Sequence, residues 1–416
     1  MNWFRFRPMI SFTVFACIVA VSHTVRAEDA SWLAGHHIDE PRMEAQTLFD
    51  TQRFPNLVVT LQGTVLATWG ADGLISRRST DGGKTWEPAV EVGPGLQGGG
   101  MVVDETNGHI LAFTHLGHRG GLPHSKRFKK LAMYRSRDDG RSWQAENTTF
   151  HNDVNGNRPA LHFAEHGVTL QHEPHAGRLL RPARVYGKAD GYNHAIYSDD
   201  QGKTWYPSKL FPIKGTGEGA LVELSDGTIY YSSRKHFFTL EETQRPQRLF
   251  ARSDDGGETW IKPAYHEHLP DGPRYRGSKK RGSNWNGHYG MAAGLTRLRL
   301  EDRDILIYSN ADEPGHARRH MSVWASFDGG KTWPIKRRID DQRGAYSTLA
   351  AGRPATPSEG WIFLLYEQPS DRRGHIGPDS SGQFVRFNLA WLLEGELTND
   401  GKRPDWLNTI RETLSK

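Results

Sequence analysis

The sequence predicts an all-β fold, a β-propeller built from four-stranded antiparallel blades. Three observations carry this. The 45 glycines, 22 prolines and 13 tryptophans among 416 residues favour many tight turns and short strands. One eight-residue pattern, Ser-x-Asp-x-Gly-x-Thr/Ser-Trp, occurs five times, and its copies start roughly 55 to 75 residues apart, a spacing that suits one blade plus variable loops. Short apolar or aromatic runs recur between the copies, while sustained helical periodicity is weak.

The copies are Ser79 to Trp86, Ser136 to Trp143, Ser198 to Trp205, Ser253 to Trp260 and Ser326 to Trp333. The pattern has the chemistry of a hairpin turn. The Asp side chain accepts local backbone hydrogen bonds, Gly tolerates positive φ, and the Trp covers the turn as an apolar lid. These aspartates therefore read as structural, not catalytic. Strand signals lie at Leu57 to Leu61, Ile110 to Thr114, Leu179 to Tyr186, Leu221 to Tyr231, Ile305 to Ser309 and Trp361 to Tyr366. A short helix is expected within Trp391 to Leu414.

Residues 1–27 predict a signal peptide. Arg5 and Arg7 make a charged start, Met9 to Val21 is an apolar run, and Val25-Arg26-Ala27 ends in a small residue. The run is too short for a comfortable membrane span, so the expectation is cleavage after Ala27, no stable span afterwards, and a secreted or periplasmic product of residues 28–416. The single cysteine, Cys17, lies inside the leader. The mature chain then has no disulfide, thiol chemistry or cysteine metal site. No histidine pair has convincing ligand spacing, so no metal and no other cofactor is predicted.

Net charge is +5 with a pI near 9.1, which fits an anionic partner. Nucleic acid is a poor candidate for that partner and none is expected, since the sequence has no zinc-finger spacing, helix-turn-helix pattern or aromatic RNA-binding signature. Two basic stretches, His118 to Lys130 and Pro273 to Arg281, read as solvated insertions or as a rim attracting polyanionic glycan.

The repeated octapeptide resembles the Asp-box (BNR repeat) of the sialidase, or neuraminidase, family. The resemblance runs from about Arg53 to Glu367 and implies a six-bladed propeller, with a last blade that lacks an Asp-box and is closed by the two chain ends. It also implies an exo-acting glycoside hydrolase that releases a terminal acidic sugar with retention. Such a substrate carries a carboxylate on its anomeric carbon. Arginine supplies a matching fork, each pair at about 4 Å contributing roughly 4 kcal/mol at an effective dielectric of 20 before desolvation.

Three segments match the family's arginine motifs. Gln52-Arg53-Phe54-Pro55 resembles its Arg-Ile-Pro motif, so Arg53 is the first arginine. In Gly217-Glu218 through Arg234, a Glu and the second arginine flank a strand-turn-strand with Leu224-Ser225-Asp226-Gly227 at the turn. Gly217 stands where the family usually has Asn. Arg318 is taken as the third arginine, with Arg319 as its alternative.

Gly344-Ala345-Tyr346-Ser347-Thr348-Leu349, followed by Leu364-Leu365-Tyr366-Glu367, resembles the nucleophile segment. It implies Tyr346 as nucleophile and Glu218 as its base. A neutral phenol escapes the repulsion that an ionised Asp or Glu would meet from the substrate carboxylate. Its free pKa of about 10 requires a base and positive surroundings. The resemblance places the general acid, an Asp, on the loop after the first blade's opening strand, which implies Asp72, the only carboxylate in the short stretch Thr68 to Ile75. Asp72 reads equally as a turn residue beside Gly73, in which case a different acidic sugar is cleaved or a histidine such as His115, His118 or His288 serves as the acid. Two rival readings use the same scaffold: hydrolysis or β-elimination of another uronic or sulfated glycan, and non-catalytic glycan binding.

Overall fold

The computed structural model describes residue 1 and residues 40–117, 128–161, 166–185, 191–239, 247–272, 274–275, 285–300, 303–313, 317–368 and 380–406. The leader, the basic stretches 118–127 and 276–281, and His118 lie outside them. The described chain is all-β apart from one helical turn, Leu389–Leu393, capped by Asn388, whose Oδ1 accepts from Trp391 N at 3.0 Å.

Four sheets have the blade pattern of four antiparallel strands. One joins Val168–Thr169, Leu179–Val185, Tyr192–Ser198 and Thr204–Pro207. A second joins Thr216–Glu223, Ile229–Lys235, Gln247–Ser253 and Ile261–Pro270, and a third Gly294–Arg297, Leu306–Ala311, Met321–Ser326 and Ile335–Asp340. The fourth brings the chain's two ends together. Met43–Phe49 pairs with Ser381–Asn388, followed by Trp361–Gln368 and Ser347–Ala351. A seven-stranded sheet runs in chain order from Asn56–Val59 to Gln144–Glu146, through the long, bulged strand Val90–Val103. The run Leu221 to Tyr231 is not one strand but a hairpin, turning at Leu224 to Gly227.

The first strands of these units pack in a closed ring. Asn56–Val59 lies against Ser347–Ala351, which lies against Gly294–Arg297. From there the ring passes through Thr216–Glu223, Val168–Thr169 and Val90–Val103 back to its start.

Each repeat folds as its chemistry demands. The Ser Oγ donates to the Asp, as Ser79 does to Asp81 at 2.7 Å. The fifth-position glycine N donates to that Ser Oγ, and the seventh-position N to the carboxylate, in all five copies. Burial pushes the carboxyls of four of them, Asp81, Asp138, Asp200 and Asp255, up, but the hydrogen bonds outweigh it. Asp81 is held at about 2, and Asp138, Asp200 and Asp255 also lie below the ordinary carboxylate range. Their oxygens are committed to the turn, which suits a structural role.

The fourth position always has φ between 60° and 68°. Glycine fills it in three copies, and Asp139 and Gln201 accept the left-handed conformation in the others. Its carbonyl receives an arginine from outside the repeat every time, from a neighbouring sheet in four copies and, for Arg78 to Asp139, from an earlier strand of the same seven-stranded sheet. Arg386 donates to Gly82 O (2.8 Å), Arg78 to Asp139 O (2.7 Å), Arg135 to Gln201 O (2.7 Å), Arg178 to Gly256 O (3.3 Å) and Arg252 to Gly329 O (2.8 Å). The tryptophan lids add apolar contact across the same junctions. Trp205, fully buried, meets Phe113 edge-on at 5.5 Å, and Trp86 meets Phe384 at 4.8 Å.

Candidate active site

At one end of the ring, loops and strand ends from four sheets bring five of the six predicted site residues together. Tyr346, partly buried, sits just before Ser347–Ala351. Its backbone is pinned to Glu367: Ala345 N donates to Glu367 O (2.7 Å) and Glu367 N to Tyr346 O (2.9 Å). The ring stacks on Phe54 at 6.3 Å, with an interplanar angle of 18°. The Arg53 guanidinium lies 5.1 Å from its centroid and that of Arg318 4.7 Å.

Arg53 is delivered by an irregular backbone. Its neighbours Gln52 and Phe54 have φ of 69° and 81°, a left-handed conformation that is costly for a bulky aromatic. Glu367 offsets that cost. Its Oε1 accepts from Arg53 Nε and from Phe54 N, each at 3.0 Å, and its Oε2 from Arg53 Nη2 at 3.3 Å.

The second arginine comes from the hairpin, as the spacing predicts. A register shift between Thr216 and Gly219 turns Glu218 toward Arg234, whose Nη1 donates to Glu218 Oε2 at 2.6 Å. Both residues are buried. Behind Arg234, Asp271 accepts from Lys235 N (2.7 Å) and Arg248 Nη1 (2.6 Å), and burial raises its carboxyl to about 6 against the pull of Arg248 and Arg234.

Arg318 and Arg319 separate cleanly. Arg318 faces the Tyr346 ring, whereas Arg319 points away to Glu313 at 2.9 Å and is half exposed. The electrostatic result falls on the phenol. Burial pushes the Tyr346 hydroxyl up and Glu218 adds to that, but Arg318, Arg234 and Arg53 prevail and hold it below the ordinary tyrosine value. The arrangement can hold an anion on three forks beside a phenol made more acidic than usual and a carboxylate able to take its proton.

Asp72 stands apart from this buried group. It is exposed at the rim, and its N and that of Ala71 donate to Gln52 Oε1 at 3.3 and 3.0 Å. Ala71 itself packs with Phe54, Ala292 and Tyr346. His115 is buried, its Nε2 accepting from Leu161 N at 3.0 Å, a structural contact. His288 falls on the strand Trp285–Tyr289. Among the described residues no group of three or more His, Cys, Asp or Glu could hold a metal.

Sequence reasoning gave no role to Glu367, Arg184, His236 or Asp271. The only signal for Glu367 was its place at the end of the Leu-Leu-Tyr-Glu run. Its partner Arg53 lies 314 positions away.

Fold and site together define an Asp-box propeller with an arginine-lined mouth around a tyrosine. The BNR repeat-like domain family matches residues 74–356, and the chain belongs to that family. It is 28% identical over 426 aligned residues to a sialidase of Micromonospora viridifaciens, covering 93% of this chain and 60% of that protein. A sialidase of Bacteroides fragilis is 25% identical, covering 76% of this chain and 59% of the relative. The chain thus spans about three-fifths of the length of these curated relatives. Among solved structures, the intramolecular trans-sialidase of Ruminococcus gnavus in complex with oseltamivir carboxylate superposes with a TM-score of 0.59 at 17% identity, covering 84% of this chain and 98% of that one. That likeness concerns the fold.

Proposed function

We propose that this chain is an exo-acting, sialidase-type glycoside hydrolase that removes a terminal acidic sugar from glycans. The observation that carries the reading is the convergence of Arg53, Arg234 and Arg318 on Tyr346, with Glu218 bound to Arg234. Three arginines around one phenol are a poor device for stability and a good one for holding a carboxylate next to a nucleophile. The sialidase relatives point the same way.

In this reading the three arginines hold the substrate carboxylate. Tyr346 Oη attacks the anomeric carbon while Glu218 takes its proton, and Asp72 protonates the leaving oxygen. The resulting aryl glycoside on Tyr346 is opened by water, whose proton goes to Asp72, while Glu218 returns its proton to the departing Tyr346 oxygen. The released sugar keeps its anomeric configuration. The scaffold is read as six blades: the seven-stranded sheet is two blades sharing Val90–Val103, and the sheet of the chain ends closes the ring. Residues 1–27 are read as an export signal and 28–416 as one secreted or periplasmic domain. No helix among the described residues is long and apolar enough to cross a membrane.

The exposed position of Asp72 favours one second reading, cleavage of another uronic or sulfated glycan through a different acid or by β-elimination. The test is release of free sugar from a panel of acidic glycosides by the wild-type protein and by Tyr346→Phe. Sialic acid release that is lost in the variant, with folding intact, supports the proposal. Full activity in Tyr346→Phe ends the mechanism, and an unsaturated product seen by ultraviolet absorbance selects the elimination route.

A further inference from the structure

We propose that Arg184, braced by His236, is a positioning residue for the Glu218 carboxylate; this rests on the reading of Glu218 as the base for Tyr346. Arg184 lies near the end of Leu179–Val185, on the sheet next to the one that carries Glu218. It is 2% exposed, and its Nη1 is 3.1 Å from Glu218 Oε1. Arg234 Nη1 holds Oε2. Each oxygen of the carboxylate is therefore gripped by a guanidinium from a different sheet, so its tilt and its distance from Tyr346 are both fixed.

The brace follows from donor and acceptor chemistry. Arg184 Nη2 is 3.2 Å from His236 Nδ1. A guanidinium only donates, so Nδ1 is the acceptor and the neutral imidazole carries its proton on Nε2. The same Nδ1 lies 3.9 Å from Glu218 Oε2. The imidazole has this place because position 217 is glycine. A Cβ there would lie 2.6 Å from His236 Cβ and 2.8 Å from Nδ1, so any side chain would drive the ring off Arg184.

The backbone around Arg184 is equally fixed. Its N donates to Ala160 O (3.0 Å) and its O accepts from Ala160 N (2.8 Å). Across the junction, Asn193 N donates to Thr216 Oγ1 (2.8 Å) and Asn193 Nδ2 to Ser233 Oγ (2.9 Å). Gly217, His236 and Arg184 thus form one unit that aims the Glu218 carboxylate.

Two readouts separate this from a plain ion pair between sheets. A cation within about 4–6 Å lowers a carboxyl pKa by about 1–3 units. Removing one of two should therefore move the acid limb of the kcat/KM profile up by about one pH unit. Misaiming the base should also lower kcat roughly ten- to hundred-fold, with KM within about twofold because Arg53, Arg234 and Arg318 remain. Arg184→Leu is expected to do both, Arg184→Lys to restore the limb, and His236→Leu to lower kcat more mildly. An unmoved limb and unchanged kcat in Arg184→Leu overturn the proposal. Should that variant fail to fold, an unchanged kcat in both Arg184→Lys and His236→Leu does so. The Glu218 carboxyl can also be followed by 13C NMR in the full chain, assigned with Glu218→Gln. It should titrate at higher pH in Arg184→Leu than in wild type, and an identical titration refutes the clamp. That measurement needs no turnover, so a wild type inactive on every acidic glycoside would remove the functional reading and leave the clamp tested on its own.

Discussion

Replacing Glu367 by Leu tests the construction of the site without touching a reacting group. The carboxylate is fully buried, and both of its oxygens are used. Leucine removes three hydrogen bonds at once. It leaves Phe54 N buried without an acceptor and Arg53 without its counter-charge. Losing one partner of a buried pair costs about 3–5 kcal/mol. The Arg53 side chain is 22% exposed, so water recovers part of this, and the low end, about 3 kcal/mol, is expected. That is a large share of a typical stability of about 5–15 kcal/mol, yet the chain should still fold. The urea midpoint should drop by up to about 1 M, since m for a chain of this size is at or above about 3 kcal/mol per molar. Activity should suffer further, because Glu367 is the acceptor that holds Phe54 N in its left-handed conformation beside Arg53. Once they relax, the Arg53 fork moves, and an ångström of misplacement costs about a hundredfold in kcat/KM. Glu367→Gln keeps one well-placed acceptor and should fall between. The assay is steady-state hydrolysis of a chromogenic sialoside beside urea denaturation of the same preparation. If kcat/KM in the Leu variant stays within about twofold of wild type, Arg53 is not positioned by Glu367 and the account of the first arginine is wrong.

Two other changes report on the phenol and on the acid. Arg318→Met removes the strongest of the charges that lower the Tyr346 hydroxyl. The phenol should then ionise at higher pH, read by ultraviolet difference absorbance with Tyr346→Phe as the blank, and an unmoved titration would show that Arg318 does not act on the phenol. Asp72→Asn should lower turnover of a natural glycoside by about a hundredfold or more while sparing an aryl glycoside, whose leaving group needs little protonation. Equal losses on both substrates would exclude Asp72 as the acid.

Much of the fold was legible because the repeat writes its own turn. Ser, Asp, Gly and Thr at fixed offsets bond within eight residues, so no distant partner is needed to recognise them. What joins one repeat to the next was not legible. The arginine that reaches each fourth-position carbonyl immediately precedes the serine of the previous repeat at Arg78, Arg135 and Arg252, but sits just before the strand Leu179–Val185 at Arg178 and on the closing strand at Arg386. Its acceptor is a backbone oxygen, which leaves no mark in side-chain pattern. The strand Val90–Val103 was hidden by Gly93, Pro94, Gly95 and Gly98 to Gly100, which read as loop. The structure bulges there and keeps the pairing. Within the site, Tyr346, Arg234 and Glu218 stood in recognisable local frames. Glu367 and Arg184 act across sheet junctions, on Arg53 and Glu218, so their roles emerge only when the ring closes.

That dependence on closure explains why so many buried arginines are tolerated. Two site arginines pair with carboxylates: Arg53 is held by Glu367 from the sheet of the chain ends, and Arg234 pairs with Glu218 on its own hairpin with Asp271 behind it. Neither could aim at Tyr346 if the sheets shifted by a fraction of a bond length. The latches Arg78, Arg135, Arg178, Arg252 and Arg386, with the tryptophan lids beside them, fix those sheets on their outer side. A positively charged mouth that gains nothing for folding therefore stays rigid because its walls are bolted elsewhere, and electrostatic preorganisation requires that division of labour. Asp72, by contrast, is exposed at the start of the strand Asp72–Ser79, where Gln52 Oε1 accepts from its N and from Ala71 N, so in the proposed reaction its aim would be set by the rim and not by the buried charges.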